Sequence, residues 1–594
     1  MDLYGFLTGS IFDAHEYLGA HFSEDRSRCY FRTYAPRAHH VDLLIHDTYI
    51  TMTPTLDGKF YETILEDVKP GDKYEYRIHN HHGGYVDHAD PYGFGMELRP
   101  DHKSIVRDIK YEFKDQKWMN SRSNMMDKPL NIYECHVGSW RKPEDLPDSW
   151  YSYTEFAELI IPYLKDKGYN YVEFMPLCEY PCDNSWGYQN TGYFAPTSRY
   201  GDAIELKKAI EMFHLADIGV ILDFVPAHFA IDDYGLRRYD GDALYEYPHY
   251  DVGISEWGSC NFIHYRGEVR SFLQSSANYW LKEYHFDGIR MDAVSRLIYW
   301  QGDEKRGVNK GAVDFIKGLN HGLKYLNKGI MLIAEDSTNY PKVTVPVEYG
   351  GLGFDYKWDL GWMHDTLEFL QSTPNERVDR YHKLTFSMMY FYNEKYLLPL
   401  SHDEVVHGKA TILQRMCGLY EGKFPQARSL YMYMMMHPGK KLLFMGSEFG
   451  QLREWDEEKE QDWLLLKYPN HDAFLAYMKE LNNCYQNYDA FWKMDYENNG
   501  FMWLDCNSNK DCLYAIVRNG YKSRIMAAFN FREVEYKGYS FQADGAQKLR
   551  VILHSDWYRF GGNTPEDEII YEAVDGRFFI DLPAYGSCLL EVID

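Results

Sequence analysis

Four apolar runs in the middle of this chain each stop at acidic or imidazole side chains, and that repetition restricts the fold more than any other feature. GVILDFVPAH presents Asp223 and His228, FDGIRMDAV presents Arg290 and Asp292, GIMLIAEDS presents Glu335, and YLLPLSHDE presents His402 and Asp403. Near-continuous apolar runs belong to strands buried on both faces, the condition of a parallel sheet. Between the strands, apolar residues recur at helical spacing: Phe156, Leu159, Ile160, Tyr163 and Leu164 in 153–168; Leu206, Ala209, Ile210 and Phe213 in 202–217; Val269, Phe272, Leu273, Ala277 and Trp280 in 268–284. NIYECHVG (131–138), YVEFMPL (171–177), FDYKWDL (354–360) and KKLLFMGSEFG (440–450) bring the strands to eight. Such βα repetition predicts a (β/α)8 TIM barrel, whose chemistry collects at the C-terminal ends of its strands.

A length of 594 residues exceeds what one hydrophobic core serves. Residues 1–117 read as a β-sandwich, with RCYFRTYAP, HVDLLIH and KYEYRIHN separated by Asp-Gly, Pro-Gly-Asp and Gly-Gly turn signals. The polar stretch WMNSRSNMMDKPL (118–130) shows no clear period and opens the barrel domain, 118–498. Residues 499–594 return to short strands, FMWLDC, DCLYAIVRN, SRIMAAFNF, LRVILHS, RFFIDL and SCLLEV, which predict a second β-sandwich.

Net charge is -26, from 63 Lys and Arg against 89 Asp and Glu, which argues against nucleic acid as partner and for a neutral or cationic ligand. Aromatic residues make up 17% of the chain; flat rings with a polar tip suit the C–H faces of sugars, though most must serve as core or surface. The ten cysteines are scattered, and Cys178 and Cys182 lack a matching second pair, so reduced packing thiols are expected rather than zinc ligands. No metal loop or HExxH motif is present, and no metal or cofactor is expected to serve the chemistry. MDLYGFLTGSIFDAHEY lacks a basic start before an apolar run, and no stretch has membrane-spanning length. The expectation is a cytoplasmic protein with no membrane partner; the sequence does not set its oligomeric state, and a monomer is the default.

Asp292, Glu335 and Asp403 follow the fourth, fifth and seventh predicted strands, so a closed barrel gathers them at one mouth. Carboxylates so placed can break an acetal, one attacking the anomeric carbon while another protonates the departing oxygen. Arg290, two residues from Asp292, favours its ionised form and so the nucleophile's role; a buried structural ion pair would look the same. Glu335, with apolar Ile333 and Ala334 nearby and no arginine close in sequence, is the expected acid. Asp403 can stabilise the developing cation. His228 and His402 suit sugar hydroxyls and Asp223 suits a brace on Arg290, although packing histidines and a strand-end cap account for the same residues singly.

DFVPAH, GIRMDAV, AEDS and LSHDE resemble, in order, the four signature regions of glycoside hydrolase family 13, the α-amylase family. More narrowly, NIYECHVGSW, NSWGYQNTGYFAPTSRYG, GGLGFDYKWDLGWMHDTL, LPLSHDEVVHGK and LLFMGSEFGQLREWD resemble the glycogen-branching group, over residues 17 to the C-terminus. The resemblance implies a retaining glucan transferase acting on glycogen, amylose or amylopectin. Asp292 would be nucleophile, Glu335 acid and then base, and Asp403 stabiliser. Asp223, His228, Arg290 and His402 match substrate-binding positions, and Tyr188, with Trp186 as a further candidate, matches the ring that stacks on the sugar at the cleavage point. The N-terminal unit resembles a carbohydrate-binding module. Ala227 departs from the usual VPGH, and GDEKRGVNKG (302–311) is shorter than the corresponding loop of that group. An α-glucan hydrolase shares the same three carboxylates, and a glucan-binding scaffold would lack one of them.

Overall fold

A computed structural model describes residues 1–146 and 148–593 of the chain. Eight parallel strands close into a barrel in chain order: β1 (Asn131–Cys135), β2 (Tyr171–Phe174), β3 (Gly219–Phe224), β4 (Gly288–Met291), β5 (Met331–Ala334), β6 (Tyr356–Trp358), β7 (Tyr396–Leu400) and β8 (Lys440–Phe444). All are buried along their whole length, which accounts for their continuous apolar runs. The helices Tyr153–Lys167, Ala203–Leu215 and Gly267–Glu283 lie where the periodicity places them.

The chain divides into two compact units. The first comprises Met1–Asn124, His136–Leu159 and Glu173–Asp355. Its N-terminal part has two antiparallel sheets. Gly19–Phe22, Arg28–Tyr34, Phe60–Glu66 and Thr53–Thr55 form one, and Thr48–Thr51, Ala38–Ile45, Lys73–Asn80 and Gly84–His88 the other. Alternate residues turn inward, so Phe31, Val41 and Leu43 are buried while their neighbours are partly exposed. Residues before these sheets take a different course. A short helix, Leu3–Thr8, is capped by the Asp2 carboxylate. It meets the barrel helix Gly267–Glu283, where Gln274 Nε2 donates to the carbonyls of Gly9 and Ile11 at 3.1 and 3.0 Å. Gly267 permits this approach, because a Cβ there would sit 1.9 Å from the Leu7 carbonyl oxygen.

The second unit comprises Met125–Cys135, Ile160–Val172 and Tyr356–Asp594. Its C-terminal part holds a six-stranded sheet and a two-stranded ribbon, Tyr536–Gln542 with Arg577–Leu582. A buried ion triad ties that sheet to β8: Asp495 Oδ2 lies 3.0 Å from Lys440 Nζ, and its Oδ1 accepts from Arg518 Nη2 at 2.7 Å.

Three local features differ from the sequence expectation. β3 ends at Phe224 rather than His228, because Pro226 cannot donate to a ladder; His228–Phe229 instead pair antiparallel with Cys260–Asn261. The polar stretch after 117 contains most of a helix, Gln116–Ser121, anchored by Trp118 Nε1 donating to Asp287 Oδ1 at 2.8 Å. Strands Tyr536–Gln542 and Ile570–Glu572 were not expected; the first buries Tyr539 and Phe541 only after a register shift between Tyr536 and Tyr539, and the second is three residues long with both ends exposed. Among the described residues, no helix is long and apolar enough to cross a membrane, and all ten cysteines are free thiols.

Candidate active site

The parallel register decides what converges at the end of β4. Asp223 pairs with Arg290 between β3 and β4, and Arg290 with Ile333 between β4 and β5. Two further ladder bonds, Asp292 N to Phe224 O at 3.0 Å and Glu335 N to Met291 O at 3.1 Å, carry the alignment past the strand ends. Gly288 makes the β4–β5 approach possible, since a Cβ there would lie 2.7 Å from the Met331 carbonyl oxygen. Arg290 therefore stands between neighbours that each deliver a carboxylate.

The two terminal nitrogens of the Arg290 guanidinium are shared among three carboxylates. Nη1 donates to both Asp223 oxygens, at 2.7 and 2.6 Å, and to Asp292 Oδ1 at 3.0 Å, while Nη2 donates to Glu335 Oε2 at 2.7 Å. Burial opposes its charge, yet Asp223, Glu335, Tyr188 and Asp292 hold the guanidinium well above its ordinary pKa. The three carboxylates differ in access: the Asp223 side chain is 1% exposed, Asp292 13% and Glu335 20%. Asp223 is thus a buried brace, and the other two open toward solvent. The backbone turns sharply after Asp292, with Ala293 in the left-handed region at φ 48°. Ala293 N then donates to Glu335 Oε2 at 3.0 Å and Val294 N to the Glu335 carbonyl at 2.8 Å. Strain of this kind persists where the surroundings over-determine it.

The pairing of Glu335 with Arg290 corrects the sequence expectation. Glu335 has an arginine partner after all, one that lies 45 residues away in the chain and becomes adjacent through the β4–β5 register. Isolation from positive charge therefore does not set Glu335 apart from Asp292, since both accept from the same guanidinium.

Tyr188 joins the cluster, its hydroxyl donating to Asp223 Oδ2 at 2.6 Å and lying 3.5 Å from Arg290 Nη1. Trp186 sits two residues earlier, closing a short turn in the left-handed region at φ 56°. His228 is buried against the Trp257 ring, with centroids 5.1 Å apart, and burial, aided by Arg296, lowers its pKa to about 4. It is a neutral imidazole at pH 7. Ala227 is not among the non-glycine residues with positive φ, so its Cβ is accommodated without strain.

In the second unit His402 is held from β1. Glu134 accepts from His402 N at 2.9 Å through Oε2, and its Oε1 lies 2.5 Å from His402 Nδ1. That contact directs Nε2 outward, 3.6 Å from Asp403 Oδ1. Asp403, at the turn following β7, is 47% exposed. Glu134 escaped the sequence analysis, and its one signal was a glutamate inside the otherwise apolar run NIYEC.

Two domain families match the chain. Residues 17–93 match carbohydrate-binding module 48 (isoamylase N-terminal domain), and residues 503–593 match the α-amylase C-terminal all-β domain. A 1,4-α-glucan branching enzyme from Geobacillus stearothermophilus is 39% identical over all of this chain and 96% of its own length. The chain belongs to the 1,4-α-glucan branching enzyme family. A second member, from Fusobacterium nucleatum, is 42% identical over 95% of this chain and 93% of its own. The barrel architecture of the family extends further: a pullulanase from Anoxybacillus, solved with maltotetraose, superposes with a TM-score of 0.75 at 18% identity, covering all of this chain and 89% of its own.

Proposed function

We propose that this member of the branching enzyme family cuts an α-1,4-glucan and re-attaches the piece to a 6-hydroxyl, with Asp292 as nucleophile, Glu335 as proton carrier and Asp403 as stabiliser of the developing cation. One observation supports this placement above the others. Arg290 holds Asp292 through Nη1 and Glu335 through Nη2, so a single sugar ring can reach both carboxylates.

In the first displacement an Asp292 oxygen attacks the anomeric carbon, the bond to O4 breaks, and Glu335 gives that oxygen its proton. The remaining piece is held as a glycosyl ester on Asp292. In the second, Glu335 takes the proton of an incoming 6-hydroxyl, its oxygen attacks the same carbon, and the ester bond breaks to regenerate the carboxylate. Two inversions give net retention. Both bonds to Glu335 fall on Oε2, so Oε1 is the oxygen to carry the proton. Asp223 positions Arg290, while Tyr188, Trp186, His228 and His402 contact the glucan. Glycogen, amylose and amylopectin all present the required linkage, and the chain acts as a monomer in the cytoplasm, where ten free thiols stay reduced.

Incubation with amylose tests the reading. Branching lowers the iodine absorbance with almost no new reducing ends; a parallel rise in reducing ends would replace transfer with hydrolysis.

A further inference from the structure

Outside the barrel, the N-terminal sheet containing Ala38–Ile45 and Lys73–Asn80 gathers histidines. His40 is the direct antiparallel partner of His79, and Asp42 lies on the same face two residues from His40. The imidazole rings of His40 and His79 stack with centroids 3.8 Å apart and planes 15° apart. Both direct Nε2 at one carboxylate oxygen: Asp42 Oδ2 lies 3.0 Å from His79 Nε2 and 3.7 Å from His40 Nε2. One donor atom from each of the three residues falls within 4.8 Å of the other two.

We propose that His40, Asp42 and His79 form a binding site for a divalent transition metal, with Zn2+ as its ion, on the surface of the N-terminal sandwich and separate from the branching chemistry. Imidazole nitrogen with carboxylate oxygen is a zinc donor set, and a tetrahedral ion with bonds of about 2.0–2.1 Å spaces its donors roughly 3.3 Å apart. The two nitrogen–oxygen separations of 3.0 and 3.7 Å straddle that spacing. Stacked rings aim their lone pairs in parallel, so closure on an ion requires the rings to splay. The His40 side chain is 40% exposed against 14% for Asp42, so solvent borders the ring that would have to turn.

Neighbouring groups prepare the donors. Thr51 Oγ1 donates to Asp42 Oδ1 at 2.7 Å, which leaves Oδ2 for the metal. His39 Nδ1 lies 3.0 Å from His40 Nδ1, and the tautomer in which His40 donates in that contact leaves its lone pair on Nε2. The nearby Arg77 charge is answered by a two-pronged pair with Asp87 at 2.7 and 2.8 Å. Bound Zn2+ would join two adjacent strands of the sheet, with solvent completing its coordination.

The test is calorimetric titration of Zn2+ into the tag-free, chelator-treated full-length chain at pH 7.5, with a thermal melt in parallel. Expected is one site per chain with a dissociation constant of about 1 µM or tighter and a raised melting temperature. His79→Ala and Asp42→Asn should each weaken binding by at least about tenfold, whereas His81→Ala/His82→Ala should leave it intact. Asp42→Asn preserves side-chain shape and so covers the case in which His79→Ala misfolds. Co2+ in place of Zn2+ should give the intense visible bands of a tetrahedral site. Absence of binding by the wild-type chain would overturn the proposal, and so would binding that survives both single variants.

Discussion

The N-terminal end of β4 offers a sharp test of how this barrel divides stability from chemistry. Asp287, just before the strand, accepts from Val220 N at 2.8 Å and Trp118 Nε1 at 2.8 Å, and its Oδ2 lies 3.1 Å from His214 Nε2. The other His214 nitrogen lies 2.7 Å from Asp115 Oδ2, and none of the three side chains is more than 1% exposed. Burial alone would discharge His214, but Asp287 and Asp115 prevail and raise its pKa to about 9. The depressed pKa of Asp115 expresses the same interaction and is counted once. A group whose folded pKa is raised stabilises most below its unfolded value and loses that contribution as pH climbs through the folded value. With 6.5 unfolded and about 9 folded, the contribution is on the order of 3 kcal/mol at pH 6, somewhat smaller at pH 7 and below about 1 kcal/mol at pH 9. His214→Gln should therefore cost the most stability at pH 6 and progressively less toward pH 9, measured by urea unfolding of both proteins across that range. Because these residues sit below the strand whose upper end bears Asp292, the folded variant should retain its kcat near neutral pH. A stability difference that stays flat or grows between pH 6 and 9 would refute the charged, doubly paired histidine.

Other outcomes follow from the same geometry. Asp292→Asn should lower turnover by at least about a thousandfold while glucan binding persists, read by iodine assay beside a binding isotherm; retained turnover removes Asp292 as nucleophile. Arg290→Lys keeps the charge but cannot span Asp223, Asp292 and Glu335 as a fork does, and losing one charge-assisted bond of about 1.5–3 kcal/mol should cut kcat by about 10- to 150-fold. Glu134→Gln leaves His402 with a weaker anchor and should raise KM for amylose several-fold with a smaller change in kcat. An unchanged KM would detach His402 from substrate.

How far the sequence carries depends on the range of the interaction. The barrel strands were legible because burial on both faces leaves an apolar run that short windows detect. Three flanking helices were legible from their period, as were three strands of the N-terminal region and most strands of the C-terminal one. Short strands such as Thr53–Thr55 and Ile570–Glu572 were not, because two or three residues are too few to show an alternation. β3 was read four residues too long, the ring of Pro226 having been taken for part of an apolar run. Asp223, Arg290 and Asp292 could be singled out locally, but the Glu335–Arg290 and Glu134–His402 contacts span 45 and 268 residues of chain.

By itself, the order of residues determined that strands and helices alternate and that acidic groups stand at strand ends, since propensity and burial pattern act over a few residues. Only the closed parallel sheet decided that Arg290 serves Asp223, Asp292 and Glu335 together. Strand register, set by hydrogen bonds between distant segments, places side chains beside one another that share no neighbourhood in the chain, and with them it places the charges.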